Sequence, residues 1–180
     1  MGSIFERRHV DLLIDAFVRG VAPRVADARL EIVGENRLRA GGRVDAALDD
    51  APEDVRRRVR LRSYVDEATL HDLYARATVF AFLSEYEGFG LTPLEALAAG
   101  VAPIVLDTPV AREIYGEAVE RVALGPRTRE DLATRVLALL TRPVEREALL
   151  AKAPDVLSRY DWSRTAAATL AAIEEAAGAR

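Results

Sequence analysis

The chain has 180 residues, 50% of them hydrophobic and 30% charged, a balance that excludes long disordered stretches and makes one domain the expectation. It holds no cysteine, which removes disulfides, thiolate metal sites and cysteine nucleophiles from the available chemistry. Its net charge of −4 comes from Arg and Asp/Glu interspersed along the chain, so no basic face for nucleic acid is expected.

The first residues, MGSIFERRHVDLL, contain no basic segment followed by a long apolar run. No apolar stretch reaches the roughly 20 residues that a membrane span needs. The expectation is a cytoplasmic protein with at most peripheral membrane contact.

Short aliphatic runs alternate with longer stretches of helical period, which predicts an α/β fold: a Rossmann-like, doubly wound parallel sheet with helices on both faces. Such a domain normally opens with a buried central strand. Only Met1 to Phe5 precede the first predicted helix, about Arg8 to Gly20. The opening strand is therefore clipped or very short, or another chain segment supplies that edge. A strand at Arg29 to Val33 follows, then a helix over Gly42 to Arg58 that shares residues with a polar, glycine-bearing segment, Arg37 to Glu53, expected as a mobile loop and weak helix.

The remaining strands are predicted at Val59 to Arg62, Val79 to Leu83, Ala102 to Leu106 and Val119 to Leu124. Helices are predicted at Glu67 to Ala77, Pro93 to Ala99, Pro109 to Tyr115 and Arg129 to Thr141, with two more near Val144 to Tyr160 and Trp162 to Ala177. Every strand can join one sheet, capped by the last two helices. The stripes Leu12, Leu13, Ala16, Phe17 and Leu70, Leu73, Tyr74, Ala77 suit packing on that sheet. His71 reads as a helix-surface residue. Asp161 reads as an N-cap, and Trp162 as an anchor between the last helix and the body.

The stretch most informative for chemistry is Ser84 to Gly100, S-E-Y-E-G-F-G-L-T-P-L-E-A-L-A-A-G, directly after the strand VFAFL. Gly88 and Gly90 permit positive φ and a close backbone approach to a ligand. The helix is expected to begin at Thr92 with Pro93 in its first position, leaving free amides and the positive dipole end as an anion site. An ordinary strand-to-helix turn has the same pattern. Glu95 completes T-P-L-E, a capping-box form, so it reads either as a cap or as a ligand group. Glu87 stands at the C-terminal edge of the sheet, where a carboxylate faces either the ligand crevice or solvent. The basic pair Arg7 and Arg8 reads as solvated unless it lies beside that crevice.

Glu87 and Glu95 in E-G-F-G-L-T-P-L-E are separated by seven residues, a spacing that resembles the Glu, seven residues, Glu motif of the family four retaining glycosyltransferases. The similarity continues through A-L-A-A-G-V-A-P-I-V and A-R-E-I-Y-G-E-A. Upstream, G-S-I-F-E-R-R-H-V-D-L-L-I-D-A-F resembles the family's diphosphate-binding segment, with Arg7 and Arg8 at its basic pair. The pieces L-E-I-V-G-E-N, S-Y-V-D-E-A-T-L-H-D-L-Y-A-R-A and Y-D-W-S-R-T-A-A-A fall in family order, so the resemblance covers essentially the whole chain. Two positions depart from it: Arg8 stands where lysine is usual, and His9 where asparagine is common.

The resemblance implies the donor-binding, C-terminal half of a GT-B enzyme of hexosyltransferase type, residues 1–180, with the last helix, 162–177, packing toward an N-terminal acceptor domain. It implies that Glu87 binds the donor sugar and Glu95 the nucleotide ribose. Gly88, Phe89, Gly90, Leu91 and Thr92 would present backbone to sugar and phosphates, with Arg7 and Arg8 stabilising the leaving diphosphate. The base would lie against Tyr64 and Val65. The nucleotide-diphosphate sugar is the substrate; no metal and no other cofactor is required. Alone, the chain is expected to be inactive and to self-associate through exposed surface. A stand-alone nucleotide-sugar binding module with a regulatory or scaffold role is the alternative, and an assembly unit that binds neither ligand is a third.

Overall fold

A computed structural model of the chain describes residues 4–37, 43–49 and 51–178. Among them, five strands and their helices follow the expected alternation. The chain enters through a 3-10 turn, Glu6–Arg8, and then α1, Val10–Ala16, which runs into a π turn, Phe17–Val21. The strand β1, Leu30–Val33, follows, then α2, Arg43–Asp49, and the short α3, Glu53–Arg56. Of the expected loop and weak helix, residues 38–42 and 50 lie outside the described residues, as do residues 1–3 of the expected opening strand.

The chain continues with β2, Val59–Arg62; α4, Glu67–Arg76; β3, Val79–Phe82; and α5, Leu91–Ala98. It goes on through β4, Ala102–Leu106; α6, Pro109–Tyr115; β5, Glu120–Val122; and α7, Thr128–Thr141. Three helices close it: α8, Pro143–Leu150; α9, Ala153–Leu157; and α10, Trp162–Gly178.

Local chemistry explains several boundaries. Asp66 caps α4 by accepting the Thr69 N–H at 2.7 Å, and Thr108 caps α6 by accepting the Ala111 N–H at 3.1 Å, with Pro109 in the first turn. The single helix expected over Val144 to Tyr160 is two, because Pro154 has no N–H to continue the ladder and opens α9 instead. The helix expected from Arg8 starts at Val10, after His9 takes a left-handed backbone at φ 44°. A short polar side chain is favoured in that conformation, which gives a backbone reason for the asparagine common there in the resembling family.

The core is two clusters divided by β4: Ala102, Ile104 and Leu106 pack with α1 and α7, and Val105 with α5 and α6. All five residues of β4 are buried, as expected of a parallel strand covered on both faces. Ile14, Ile104 and Leu132 are fully buried. Gly20 lets the π turn approach α7: a Cβ there would lie 2.4 Å from the Ala133 Cβ.

Three expectations about packing fail. The five strands do not form one hydrogen-bonded sheet. Among the described residues β1 pairs only with β2, and β3–β4–β5 form a second sheet, all parallel. Between β1 and β3 lies a cavity of about 570 Å³. The stripe on α4 is not core, because α4 has no fully buried residue and Leu70, Leu73, Tyr74 and Ala77 face this cavity. Likewise Trp162 is 81% exposed and anchors nothing, since no residue of α10 is buried. Asp161 does cap α10, accepting the Ser163 and Arg164 N–H groups at 2.7 and 3.1 Å.

Candidate functional site

The site gathers at the C-terminal ends of β3 and β4, where parallel α/β sheets bind ligands. After β3 the chain stays buried through Leu83 and Ser84, emerges at Glu85 and Tyr86, and turns back at Glu87. The turn is held by the Ser84 hydroxyl, which lies 2.8 Å from the Glu87 Oε1 and 3.2 Å from the Tyr86 carbonyl oxygen.

Arg8 reaches the same carboxylate from the other end of the sequence, its Nη2 donating to Glu87 Oε1 at 3.1 Å. Both side chains are about four-fifths buried, so the pair is less screened than a surface ion pair. The Arg8 guanidinium also stands 5.3 Å from the centre of the Phe82 ring, a cation–π contact that fixes its direction. The reversal at His9 makes this placement possible, and His9 Nε2 lies 2.6 Å from Glu85 Oε1, tying the turn to the loop after β3. Arg7 is exposed with its guanidinium over the Phe5 ring, while its carbonyl accepts the Glu85 N–H at 3.0 Å.

Gly90 carries the geometry that the sequence assigned to two glycines. Its φ is 84°, and it stands at the N-cap of α5; Gly88 has no positive φ and open space where a Cβ would be. The helix therefore starts at Leu91, two residues ahead of the expected first position, with Pro93 in its third position rather than its first. Phe89 packs edge-on against Tyr160, with ring centres 5.1 Å apart. Leu91 is exposed at the mouth of the loop.

This shift dissolves the capping box. Thr92 lies inside the first turn, not at the N-cap, and its Oγ1 is buried without a hydrogen-bond partner among the described residues. Glu95 instead points toward α4, where the Tyr74 hydroxyl donates to its Oε2 at 3.4 Å. Burial, followed by the nearby Glu95 carboxylate, pushes the Tyr74 hydroxyl pKa well above its ordinary range.

Sequence reasoning gave no role at the site to three supporting residues: Ser84, Tyr115 and Tyr74, the last of which it placed in the packing stripe of α4. Ser84, next to the strand and three residues before Glu87, offered a local signal. Tyr115 did not, since it reaches the loop from α6, donating to the Gly90 carbonyl oxygen at 2.7 Å. Tyr115 is buried, and that burial, with the Glu87 and Tyr160 charges next, raises its pKa.

Arg8, Glu87 and Gly90 thus meet at one rim, Glu87 bonded to Arg8 and 3.8 Å from where a Gly90 Cβ would stand, with Thr92 and Glu95 following on α5. Tyr64 and Val65, at the turn between β2 and α4, make no hydrogen bond or ring contact to that rim among the described residues, and Tyr64 is 82% exposed. The crevice beside Glu87, bounded by Ser84, Thr108 and Tyr115, has a volume of about 10 Å³, enough for one water. A larger ligand must lie on the open rim. The large cavity between β1 and β3 is lined mostly by apolar groups and shares Arg8, Tyr74 and Phe82 with this chemistry.

The family described as glycosyl transferases group 1 matches residues 1–156. The chain is 31% identical over 181 residues to a phosphatidyl-myo-inositol mannosyltransferase of Mycobacterium tuberculosis, covering 96% of this chain and 45% of that protein. It is 37% identical over 115 residues to a GDP-mannose:cellobiosyl-diphosphopolyprenol alpha-mannosyltransferase of Komagataeibacter xylinus, covering 60% and 28%. The chain therefore spans less than half the length of these curated relatives.

Among solved structures, the C-terminal domain of a glycosyl transferase group 1 family protein from Francisella tularensis superposes with a TM-score of 0.70 at 20% identity, covering 88% of this chain and 82% of that one. Sucrose-phosphate synthase from Thermosynechococcus elongatus superposes with a TM-score of 0.79 at 21% identity, covering 98% and 44%. These likenesses fix the fold as that of one half of a GT-B glycosyltransferase. Among the described residues no helix is long and apolar enough to cross a membrane.

Proposed function

Since the chain belongs to the glycosyl transferases group 1 family, we propose that it forms the donor-binding half of a retaining glycosyltransferase that transfers a sugar from a nucleotide-diphosphate sugar. The observation that carries this reading is the placement of Glu87 by Arg8 and Ser84 beside the start of α5. Both bonds fall on Oε1, which leaves Oε2 directed to a further donor such as a sugar hydroxyl. Arg8 bonds Glu87, which stands beside the Gly90 N-cap of α5, so a diphosphate resting between them would meet a helix dipole and a fixed cation.

As the bond from sugar to diphosphate breaks, negative charge grows on the leaving oxygens. Arg8, with the exposed Arg7 free to swing in, stabilises that charge without a metal ion. A diphosphate must share Arg8 with Glu87, so the ion pair also orients the cation before the ligand arrives. Glu95 holds the ribose, and the buried Thr92 hydroxyl gains a partner in the phosphate. The base lies toward Tyr64 and Val65. The names of the two relatives make GDP-mannose the first donor to try.

The acceptor side is contributed by a second, N-terminal domain. The uncovered face of α10, with Trp162, Leu170 and Ile173 all exposed, supports a partner on that side. The test has two arms: calorimetric titration with nucleoside diphosphates and their sugars, and a transfer assay with and without an acceptor domain from a relative. Sugar-dependent binding and transfer only in the paired form are expected. Binding with no transfer in any pairing would favour a binding module, and no binding at all would sink both readings.

A further inference from the structure

Three consecutive residues of the entering turn each hold the loop after β3. The Arg7 carbonyl accepts the Glu85 N–H at 3.0 Å, Arg8 donates to Glu87 Oε1 at 3.1 Å, and His9 Nε2 lies 2.6 Å from Glu85 Oε1. Glu85 is therefore gripped at its backbone and at its carboxylate by the residues on either side of Arg8. The guanidinium at the centre of the rim is bracketed by a single loop residue.

The two side-chain contacts respond differently to pH. A guanidinium keeps its charge at any ordinary pH, whereas imidazole is the side chain that gains or loses a proton between about pH 5 and pH 8. The charged groups on the elements that meet at His9 are Glu6, Arg7 and Arg8 of the turn, Asp11 in the first turn of α1, and Glu85 and Glu87 of the loop; the ring reaches Glu85. The His9 side chain is about four-fifths buried, and that of Glu85 is half exposed. With the ring protonated, the contact is a charge-assisted bond, roughly twice as strong as a neutral one, and it cancels the Glu85 charge that an anionic ligand on the rim would meet. With the ring neutral, the bond weakens and that charge is bare.

We propose that His9 is a positioning residue for Arg8: its imidazolium, paired with Glu85, locks the arm carrying Arg8 onto the loop carrying Glu87, so the rim holds a nucleotide-diphosphate sugar more tightly when the ring is protonated. The inference rests on the donor-binding reading of this rim and adds to it a dependence on pH that the fixed charge of Arg8 does not produce. Linkage makes the effect reciprocal, so donor binding draws a proton onto the protein. His9 lends itself to the test because its backbone stands at φ 44°, a conformation that Asn and Gly adopt readily. His9→Asn thus removes the ring and keeps the turn.

GDP-mannose is titrated calorimetrically at about pH 6 and about pH 8, in two buffers of different ionisation heat. Both of its phosphates are diesters and hold their charge across that interval, so the ligand adds no titration there. The unchanged chain is expected to bind roughly fivefold more tightly at the lower pH and to take up a fraction of a proton, the scale separating a charge-assisted from a neutral hydrogen bond. His9→Asn should lose both effects, and His9→Gly replaces it if it does not fold. The only other histidine, His71, is exposed on α4, and His71→Asn should keep both. Glu85→Gln should lose them as His9→Asn does; full pH dependence in that variant would mean that the ring meets the diphosphate directly, and would overturn the positioning role. Equal affinity at both pH values in the unchanged chain also overturns it. Without ligand, protection of the Glu85 amide from hydrogen exchange, relative to a free peptide at the same pH, should be greater at the lower pH in the unchanged chain and equal at both in His9→Asn. If GDP-mannose binds at neither pH, that counts against the donor reading, and the Glu85 amide decides the lock by itself: equal protection at both pH values in the unchanged chain overturns it.

Discussion

The Tyr115 hydroxyl holds the Gly90 carbonyl at 2.7 Å and also occupies the place a side chain at position 90 would need, 2.2 Å from where its Cβ would stand. One atom therefore both secures the loop ahead of α5 and reserves position 90 for glycine. Gly90→Ala is expected to lose about 1–2 kcal/mol from its left-handed backbone alone, and more from the overlap. Tyr115→Phe should cost about 1 kcal/mol for one hydrogen bond. The double variant should be more stable than the sum of the two losses implies, because removing the hydroxyl relieves the overlap. Denaturant titration of the four proteins measures this, and strictly additive losses would refute it.

Glu87→Gln should weaken binding of a nucleotide sugar by about 1.5–3 kcal/mol, the scale of one charge-assisted hydrogen bond, with a smaller effect on the bare nucleoside diphosphate. Calorimetry on both ligands separates the two. Equal weakening would take Glu87 away from the sugar.

Glu95 and Thr92 now make a sharper pair than a capping box allowed. With Gly90 at the N-cap, Glu95→Gln should leave the melting temperature nearly unchanged and lower nucleotide affinity. Thr92→Val replaces a buried hydroxyl that has no partner among the described residues, so stability should hold or rise by up to about 1 kcal/mol while affinity falls. Early melting of either variant with normal binding would return that residue to a purely structural role.

The half-buried Tyr74 and the buried Tyr115 bear on alkaline stability. Tyr74 and Tyr115 have folded pKa values raised above the ordinary 10.0, so below that pH their neutral forms contribute fully to stability. As pH climbs past about 10 the unfolded chain ionises first, and stability falls with rising pH. Replacing both with Phe should flatten that fall. A wild-type denaturation midpoint that does not decline between about pH 10 and pH 11 would contradict it.

All five strands were legible, because short aliphatic runs between turn residues have few other uses. The positions of Glu87 and Gly90 were legible from the loop between VFAFL and the next helix. What escaped were relations between distant segments. Nothing within G-F-G-L-T-P says which residue takes the N-cap; Tyr115, from 25 residues further on, bonds the Gly90 carbonyl. The same holds for α4, whose stripe Leu70, Leu73, Tyr74 specifies an apolar face but not what lies across from it. Trp162 failed for the same reason, since an indole signals contact area but cannot name its partner.

The division of the sheet bears on how cooperatively the molecule comes apart. Among the described residues no strand of β1–β2 pairs with β3–β4–β5; the two pieces are joined by the backbone bonds of Ile4 to Glu35 and of Arg7 to Glu85 and by side chains of α1 and α7, which pack on one another. The second piece contains β4 with every residue buried, whereas the first has an interior in β1 of one buried residue. Partial unfolding can therefore release the N-terminal third while the rest keeps its hydrogen bonds, a hierarchy rather than a single all-or-none transition. A protease would cut first in that third, and the Arg8 arm of the site, anchored there, would be lost before Glu87 and α5.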